Sequence, residues 1–211
     1  MRRYRYAALL PLIPALALQG CPAVIGVGSV AAVSSLEDRR TTGTQLDDSG
    51  IESRAAARIG ERIGERGRIT VTAYNRAILL TGEVWDQATR AEAEKLAAEV
   101  PNVRSVTNEI QVAGIASATS RMNDATITAR VKGGFMNAKG LNSLHVKVVT
   151  EAGVVYLLGL VTEAEAEKAS EIARTTGGVR KVVKIFEYCD PADERCRPTP
   201  PPPEKPKPPR A

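Results

Sequence analysis

One short module is written twice in this chain, and the repeat constrains the fold more than any single residue does. Residues 69–84 read ITVTAYNRAILLTGEV, and residues 146–161 read VKVVTEAGVVYLLGLV. Each segment predicts an alternating strand, a polar turn, a second apolar strand and a glycine, Gly82 or Gly159. The two glycines lie 159 − 82 = 77 positions apart, which is one module with its linker. A repeat of this kind decides the whole architecture.

Both copies predict the same order of elements: helix, strand, strand, helix and strand. In the first copy, Asp48 or Ser49 is the predicted N-cap of a helix with a narrow apolar stripe, Ile51, Ala55, Ile59 and Ile63. In the second copy, Asp124 is the predicted cap of a helix with the apolar line Ile127, Val131 and Phe135. The sequence therefore predicts an α+β fold of two tandem small domains, in which helices pack on one face of a three-stranded sheet. Cores of this size are marginal, which leaves open whether the two domains pack together.

Boundaries follow from these elements. The predicted parts are a signal peptide (residues 1–20), a lipidated tether (21–46), the first module (47–113), a linker (114–123), the second module (124–188) and a tail (189–211).

The N-terminus has the pattern of a bacterial lipoprotein signal. Three arginines within the first five residues precede an apolar run, residues 7–18, that is too short to span a bilayer. The run ends in LQGC at residues 18–21, which resembles the lipobox, in which the cysteine is lipid-modified and becomes the first mature residue. The alternative is an ordinary signal peptide with an incidental cysteine at Cys21. Pro22 stands where an aspartate would resemble the inner-membrane retention signal, so an outer-membrane lipoprotein facing the periplasm is expected.

The positive charge of the chain is concentrated at its ends. The formal net charge is +5, and removal of residues 1–20 with their three arginines leaves 5 − 3 = +2. The tail from Arg197 to Ala211 holds four basic residues against Glu204, or +3, so the remainder is near 2 − 3 = −1. A nearly neutral body is poor evidence for nucleic-acid binding, and no nucleic-acid partner is predicted.

The C-terminal region holds two further cysteines and a proline-rich segment. Cys189 and Cys196 can close a small disulfide loop in an oxidising compartment, with two free thiols as the first alternative and a metal site as the second. The segment after Arg197 has no apolar residue to bury except proline, so an extended or disordered tail is predicted. A solvated tail is favoured over a basic probe of the cell wall or of a partner.

Catalytic residue types are scarce. The chain has one histidine, His145, no neighbouring Ser-His-Asp or Cys-His arrangement, and no glycine-rich phosphate loop. The residue inventory therefore predicts binding and not catalysis, with neither a metal nor a cofactor.

These residues resemble a known family. The αββαβ order, the glycine at the strand end and the motif DATITARV at residues 124–131 are similar to the BON domain. Residues 155–166, VYLLGLVTEAEA, are similar to the most recognisable segment of that domain. Two copies behind a lipobox, with DRRTTGT at residues 38–44, resemble the dual BON-domain outer-membrane lipoproteins. The resemblance covers about residues 34–188.

The resemblance implies that the second module binds an anionic, phosphatidylglycerol-like phospholipid through its opening helix, and that the protein supports envelope integrity and cell division. The helix spans about residues 124–137 here, and the implied lipid-binding residues are Thr126, Arg130, Lys132, Gly133, Gly134, Phe135, Met136, Asn137 and Lys139. Relatives can carry a tryptophan near the helix start, where this chain has Thr126. Phe135, Met136 and the basic side chains are expected to compensate.

Several of these residues have a second interpretation. Arg130 and Lys132 belong either to a phosphate-binding surface or to a solvated helix face. Phe135 has the spacing of a core residue as well as that of a membrane wedge, and the core is favoured. Trp85 packs between the modules or contacts a partner, with packing favoured.

Structural roles are predicted for the two repeated glycines. At Gly82 and Gly159, a side chain would collide with a packed helix or disturb a bulge. His145 begins a strand and is expected to be exposed.

The alternative to lipid binding is a periplasmic adaptor for outer-membrane assembly or division factors.

Overall fold

A computed structural model describes residues 38–114, 116–193 and 196. The predicted signal peptide, the lipidation site Cys21, most of the tether and the proline-rich tail lie outside the described residues. Within the described part, no helix is both long enough and apolar enough to cross a membrane.

The first module contains two helices and a mixed sheet. Its elements in chain order are α1 (Thr42–Ile63), β1 (Gly67–Tyr74), β2 (Ala77–Val84), α2 (Gln87–Ala98), β3 (Ser105–Asn108) and β4 (Gln111–Val112). Strands β1 and β2 form an antiparallel hairpin, and β3 and β4 both pair with β2 in parallel. The final strand is thus one line of chain interrupted near Ile110, and β2 is the centre of the sheet.

The second module repeats this arrangement. It consists of α3 (Ala118–Met136), β5 (Val146–Glu151), β6 (Val154–Val161), α4 (Glu163–Thr175) and β7 (Lys181–Tyr188). Strand β6 is antiparallel to β5 and parallel to β7, in the order β5-β6-β7. The predicted α+β fold of two tandem modules is confirmed.

Glycines bring the hairpin strands close together at one position in each module. Gly82 lies opposite Ile69, and Gly159 lies opposite Val146. A Cβ atom on Gly82 would stand 2.0 Å from the carbonyl oxygen of Arg68, and one on Gly159 would stand 2.4 Å from that of His145. The obstacle is backbone in both cases, that of β1 for Gly82 and that of the residue just before β5 for Gly159. It is not a packed helix or a bulge, as the sequence suggested.

The first helix of each module starts earlier than the sequence predicts. The N-caps are Thr41 and Ser117, whose side chains accept from backbone N–H groups of the first turn. Residues 118–123 of the predicted linker therefore belong to α3. Asp124, predicted as a cap, is buried inside the helix and accepts the backbone N–H groups of Ala152 and Gly153 in the hairpin turn, at 2.9 and 2.8 Å.

Asp48 makes the same connection in the first module. Its carboxylate accepts the backbone N–H groups of Asn75 and Arg76, both at 2.7 Å. Asn75, Arg76 and Ala152 all have positive φ, which is typical of tight turns. In each turn, two consecutive backbone N–H groups donate to the same aspartate. Each aspartate thus fastens the opening helix to the β-hairpin, which orients the helix on the sheet.

The two sheets pack against each other through the faces that carry no helices. A shared core forms there from Tyr74, Leu79, Tyr156, Leu158, Leu160 and Cys196. The hydroxyl of Tyr74 in the first module accepts the backbone N–H of Leu160 in the second at 3.1 Å. Lys147 reaches back to Glu52 at 2.7 Å and to the carbonyl of Ala73 at 3.2 Å. The modules therefore form one packed body.

Candidate functional site

The outer surface of α3 is exposed and cationic. Asp124 is the helix's one acidic residue, and it is buried and used by the hairpin turn. Met122 and Met136 are 72% and 76% exposed. We call the exposed side of this helix and the residues just after it the cationic face; it comprises Thr126, Arg130, Lys132, Gly133, Met136, Asn137 and Lys139.

Two of the predicted lipid-binding residues do not belong to the cationic face. Phe135 is completely buried in the core of the second module, so its assignment as a lipid contact is wrong and its helical spacing reflects packing. Gly134 faces α4, where a Cβ atom would stand 2.6 Å from the Cγ2 atom of Ile172. Gly133, by contrast, has open space where its Cβ atom would lie. The glycine pair thus divides into one packing residue and one surface residue.

The basic side chains of the cationic face are largely uncompensated. Arg130 donates to the carbonyl of Gly177 at 3.3 Å, and no carboxylate pairs with it among the described residues. Lys132 and Lys139 form no side-chain hydrogen bond or ion pair within the described part of the chain. Exposed basic side chains that pair with no carboxylate are attracted to anionic surfaces.

The corresponding helix of the first module has a different surface. On α1, Arg62 pairs with Glu92 of α2 at 3.2 Å, and Arg58 donates to the carbonyl of Glu99 at 3.1 Å. Glu61 and Glu65 lie among these arginines. The exposed side of α1 is therefore charge-balanced, although both helices hold the same position on their sheets.

The segment before α1 joins the cationic face to the first module. Arg40 bonds to Asp38 and Asp48 at 2.7 Å each and lies 4.0 Å from the ring centre of Tyr74. Burial by itself disfavours the charge on Arg40, but the hydrogen bond and charge of Asp38 outweigh this and raise the pKa of Arg40. Arg40 and Tyr74 line a cavity of about 330 Å³ together with Lys132 and Met136. The end of the tether therefore lies beside the cationic face.

Arg39 connects the same segment to the second module. Its guanidinium forms two hydrogen bonds to the Glu165 carboxylate, at 2.6 and 2.9 Å, and donates to the carbonyl of Leu160 at 3.0 Å. The side chain is only 4% exposed. Arg39 and Arg40, adjacent in sequence, thus fasten the end of the tether to different modules, which the sequence did not predict.

His145 takes part in this cluster and is not exposed as predicted. Its side chain is buried, and Nδ1 lies 3.4 Å from Glu165. Burial alone would raise the pKa of Glu165, but hydrogen bonds from His145, Arg39 and the Thr162 backbone outweigh it and hold this pKa far below its usual value. The charged form of Glu165 is therefore strongly favoured in the folded protein.

Two further features lie away from the cationic face. Trp85 is 59% exposed, so the prediction that it packs between the modules is wrong. Cys189 and Cys196 form a disulfide with their Cα atoms 6.1 Å apart, and Cys196 is buried in the core shared by the two sheets.

Comparison with known proteins identifies the repeated module. The BON domain model matches residues 47–114 and 123–190. The chain belongs to the BON-domain family. It is 39% identical over 176 residues to the outer membrane lipoprotein DolP of Haemophilus influenzae, which covers 82% of this chain and 91% of that protein.

Other similarities are weaker. The 21 kDa hemolysin of Actinobacillus pleuropneumoniae is 35% identical over 72% of this chain and 79% of its own length. A solved structure of CdsD, a structural protein of the type III secretion system of Chlamydia trachomatis, covers 63% of this chain and 91% of its own, with 13% identity and a TM-score of 0.27. The lipoprotein match extends over most of both chains, and this BON-domain protein is accordingly an outer-membrane lipoprotein.

Proposed function

We propose that the protein binds anionic phospholipid of the phosphatidylglycerol type through the cationic face of its second module. The observation that carries the proposal is that Arg130, Lys132 and Lys139 are exposed and that none of them pairs with a carboxylate among the described residues. Each basic residue near an anionic membrane surface contributes about 1 kcal/mol of attraction. The protein acts as a binding module in this proposal and not as an enzyme.

The position of the tether supports this orientation. The chain enters the first module at Arg40, in the wall of the cavity that Lys132 and Met136 also line. An anchored N-terminus would therefore hold this side of the body toward the periplasmic leaflet. The exposed thioether of Met136 beside the lysines suits the boundary between headgroups and acyl chains.

Removing the three charges of the cationic face is expected to weaken vesicle binding roughly a hundredfold, at about 1 kcal/mol for each charge. The test protein is residues 21–211 with Cys21→Ser, so that no lipid anchor dominates the affinity. The variant combines Arg130→Gln, Lys132→Gln and Lys139→Gln. Co-sedimentation with vesicles of phosphatidylcholine and phosphatidylglycerol measures the change.

The first module supplies a matched control for that variant. Arg54→Gln, Arg58→Gln and Arg62→Gln remove the same charge from the exposed side of α1 and should leave the affinity within about threefold. Equal losses in both triple variants would show that net charge matters and the cationic face does not. Amide shift changes on α3 that appear with phosphatidylglycerol micelles give an independent readout.

In cells, this proposal includes a supporting role in envelope integrity and division. A deletion strain should show increased detergent sensitivity, and the anchored triple variant of the cationic face should fail to restore resistance. Full rescue by that variant would separate the envelope role from lipid binding.

A protein-adaptor function is the second candidate, favoured by a separate observation. Trp85 and Val112 are 59% and 48% exposed at the end of the first sheet, and tryptophan is enriched among residues that dominate protein interfaces. A photo-crosslinker at Trp85 tests this in intact envelopes. A lack of any captured protein neighbour would count against the adaptor.

A further inference from the structure

We propose that the outer edge of β7 is a docking site for an extended, basic segment of a partner protein, which adds to the sheet as a fourth strand. β7 is the last strand in the order β5-β6-β7, so one of its edges pairs with β6. We call the opposite edge the open edge, because no strand lies beside it in the described part of the chain. This surface is separate from the cationic face and from Trp85, and docking there does not depend on lipid binding.

The backbone of the open edge has free hydrogen-bonding groups. The N–H of Cys189, just after the strand, donates to the carbonyl of Val161 in β6 at 3.1 Å. Because the backbone groups of successive strand residues point to alternate sides, those of Val182, Lys184 and Phe186 point away from β6. No described residue outside β7 bonds to the outward groups of these three. A row of unpaired backbone groups is a template for an additional strand.

The equivalent edge of the first module is interrupted. Its final strand is divided into β3 and β4, and the side chain of Asn108 accepts the backbone N–H of Ile110 between them at 3.1 Å. The carbonyl of Asn108 accepts from Arg90 of α2 at 2.9 Å. Short or broken edge strands oppose pairing with another chain. β7 instead continues for 8 residues without a break, so the second module alone keeps a long final strand.

The surroundings of the open edge favour a basic partner. A cavity of about 460 Å³ lies between α4 and β7, and its lining includes Glu163, Glu167, Lys184 and Tyr188. Neither carboxylate forms an ion pair or a hydrogen bond with another described residue. Lys184 offsets one of the two charges, which leaves 1 − 2 = −1. The ring of Tyr188 is 57% exposed, and aromatic rings attract cations. A lysine or arginine of the added strand would therefore meet an opposite charge and an aromatic ring.

A second copy of the chain is a less suitable occupant. Two β7 strands that paired across a two-fold axis would bring the α4 helices of both copies to the same side of the joined sheet. The cavity of each copy carries one net negative charge, so this arrangement would bring like charges together. Charge complementarity therefore favours a different chain with basic side chains.

A synthetic peptide tests strand addition. The protein is residues 21–211 with Cys21→Ser, and the probe is a fluorescein-labelled nine-residue peptide of alternating lysine and valine. Fluorescence anisotropy should detect binding of this peptide. Two further peptides carry backbone N-methyl groups, one on every lysine and the other on every valine, so that the positive charge is unchanged. One of them, which depends on whether the added strand is antiparallel or parallel, should bind at least about tenfold more weakly. Equal affinities of all three peptides would overturn the docking site.

Two variants of Lys184 isolate the contribution of its backbone N–H. Lys184→Pro removes a donor that points away from β6, at an edge position where proline is tolerated. Lys184→Thr removes the same positive charge and keeps the donor. The proline variant should bind the unmethylated peptide about five- to tenfold more weakly than the threonine variant. Equal affinities, with similar thermal unfolding of both variants, would contradict strand addition. The methylated peptides decide the matter if the proline variant does not fold.

The charge of the partner is tested separately. Glu163→Gln combined with Glu167→Gln should weaken binding of the basic peptide by about threefold or more at low salt. The matched control combines Glu61→Gln and Glu65→Gln, which removes the same charge near the end of α1 and should leave the affinity within about twofold. Equal changes in the two double variants would overturn the assignment of a basic partner.

Sedimentation without peptide tests the second copy as the occupant. A concentration-dependent dimer that Lys184→Thr retains and Lys184→Pro loses would assign the open edge to self-association and overturn the partner proposal. Monomers of the unsubstituted chain and of both variants are the result expected here.

Discussion

Gly82→Ala is expected to lower the free energy of unfolding by more than about 4 kcal/mol and to leave little folded protein at 37 °C. Gly82 has φ of +115°, a conformation that alanine rarely adopts. Its Cβ atom would also stand 2.0 Å from the carbonyl oxygen of Arg68, which is backbone and is held by pairing in the sheet. This clash could be relieved only if strands β1 and β2 moved apart. Thermal denaturation followed by circular dichroism measures the effect.

Two glycine variants serve as controls for that substitution. Gly159→Ala should also be strongly destabilising, because its Cβ atom would meet the His145 carbonyl at 2.4 Å. Gly133→Ala should instead stabilise by about 0.5 to 1 kcal/mol, since the position is helical and has open space. A Gly82→Ala protein that melts like the unsubstituted chain would contradict the close approach of β1 and β2.

Arg39→Met is expected to destabilise the protein by about 3 to 5 kcal/mol. The substitution removes both hydrogen bonds to Glu165 and leaves a largely buried carboxylate beside His145 without its arginine. Breaking one partner of a buried ion pair is more costly than replacing both partners. Urea denaturation at pH 7 measures the loss.

The control and the double variant define the cause. Arg54→Met, on the exposed side of α1, should change stability by less than about 0.5 kcal/mol. Arg39→Met combined with Glu165→Met should be less destabilised than the sum of the single variants, because no unpaired charge remains. Strictly additive losses would show that Arg39 and Glu165 do not act as a pair.

The same pair predicts a dependence on pH. The pKa of Glu165 is lowered in the folded protein, so its contribution to stability is present above the usual carboxyl value of 4.5 and is lost as the pH falls below it. The unsubstituted chain should therefore lose stability on acidification from pH 5 to about pH 3. Glu165→Gln should reduce this slope, and an unchanged slope would argue against the proposed charge cluster.

Local patterns predicted the elements of each module well. Asp86 and Thr162 cap the second helix of each module, and each accepts a backbone N–H three residues later. The hairpins formed where the polar turns predicted them, because turn residues and alternating strands act over a few positions. These signals are local, which is why a single sequence was sufficient.

The starts of the opening helices depended on contacts that are distant in sequence. Aspartate is a residue type that commonly caps helices. The carboxylates of Asp48 and Asp124 instead accept the backbone N–H groups of turn residues 27 to 29 positions later. His145 was expected at the surface and is buried beside Glu165, which lies 20 positions later in the chain. Only the three-dimensional arrangement supplies those partners.

The candidate site was partly predictable. The family resemblance placed Arg130 and Lys132 on the lipid-binding helix, and the structure leaves both side chains exposed. The sequence alone did not exclude Phe135 from that surface, since core and membrane-facing residues share helical spacing. No local sequence pattern indicated that Arg39 would bind the second module and Arg40 the first.

The shared core has a consequence for how the protein would unfold. Strands β2 and β6 are covered on both faces, by helices on one side and by the opposing sheet on the other. Cutting the chain between the modules would expose Leu79, Tyr156 and Leu158 to water, at about 25 cal/mol for each Å² of apolar surface. Melting should therefore occur in a single cooperative transition, and neither module should fold when it is separated from the other. The two copies of the repeated sequence thus form one folding unit.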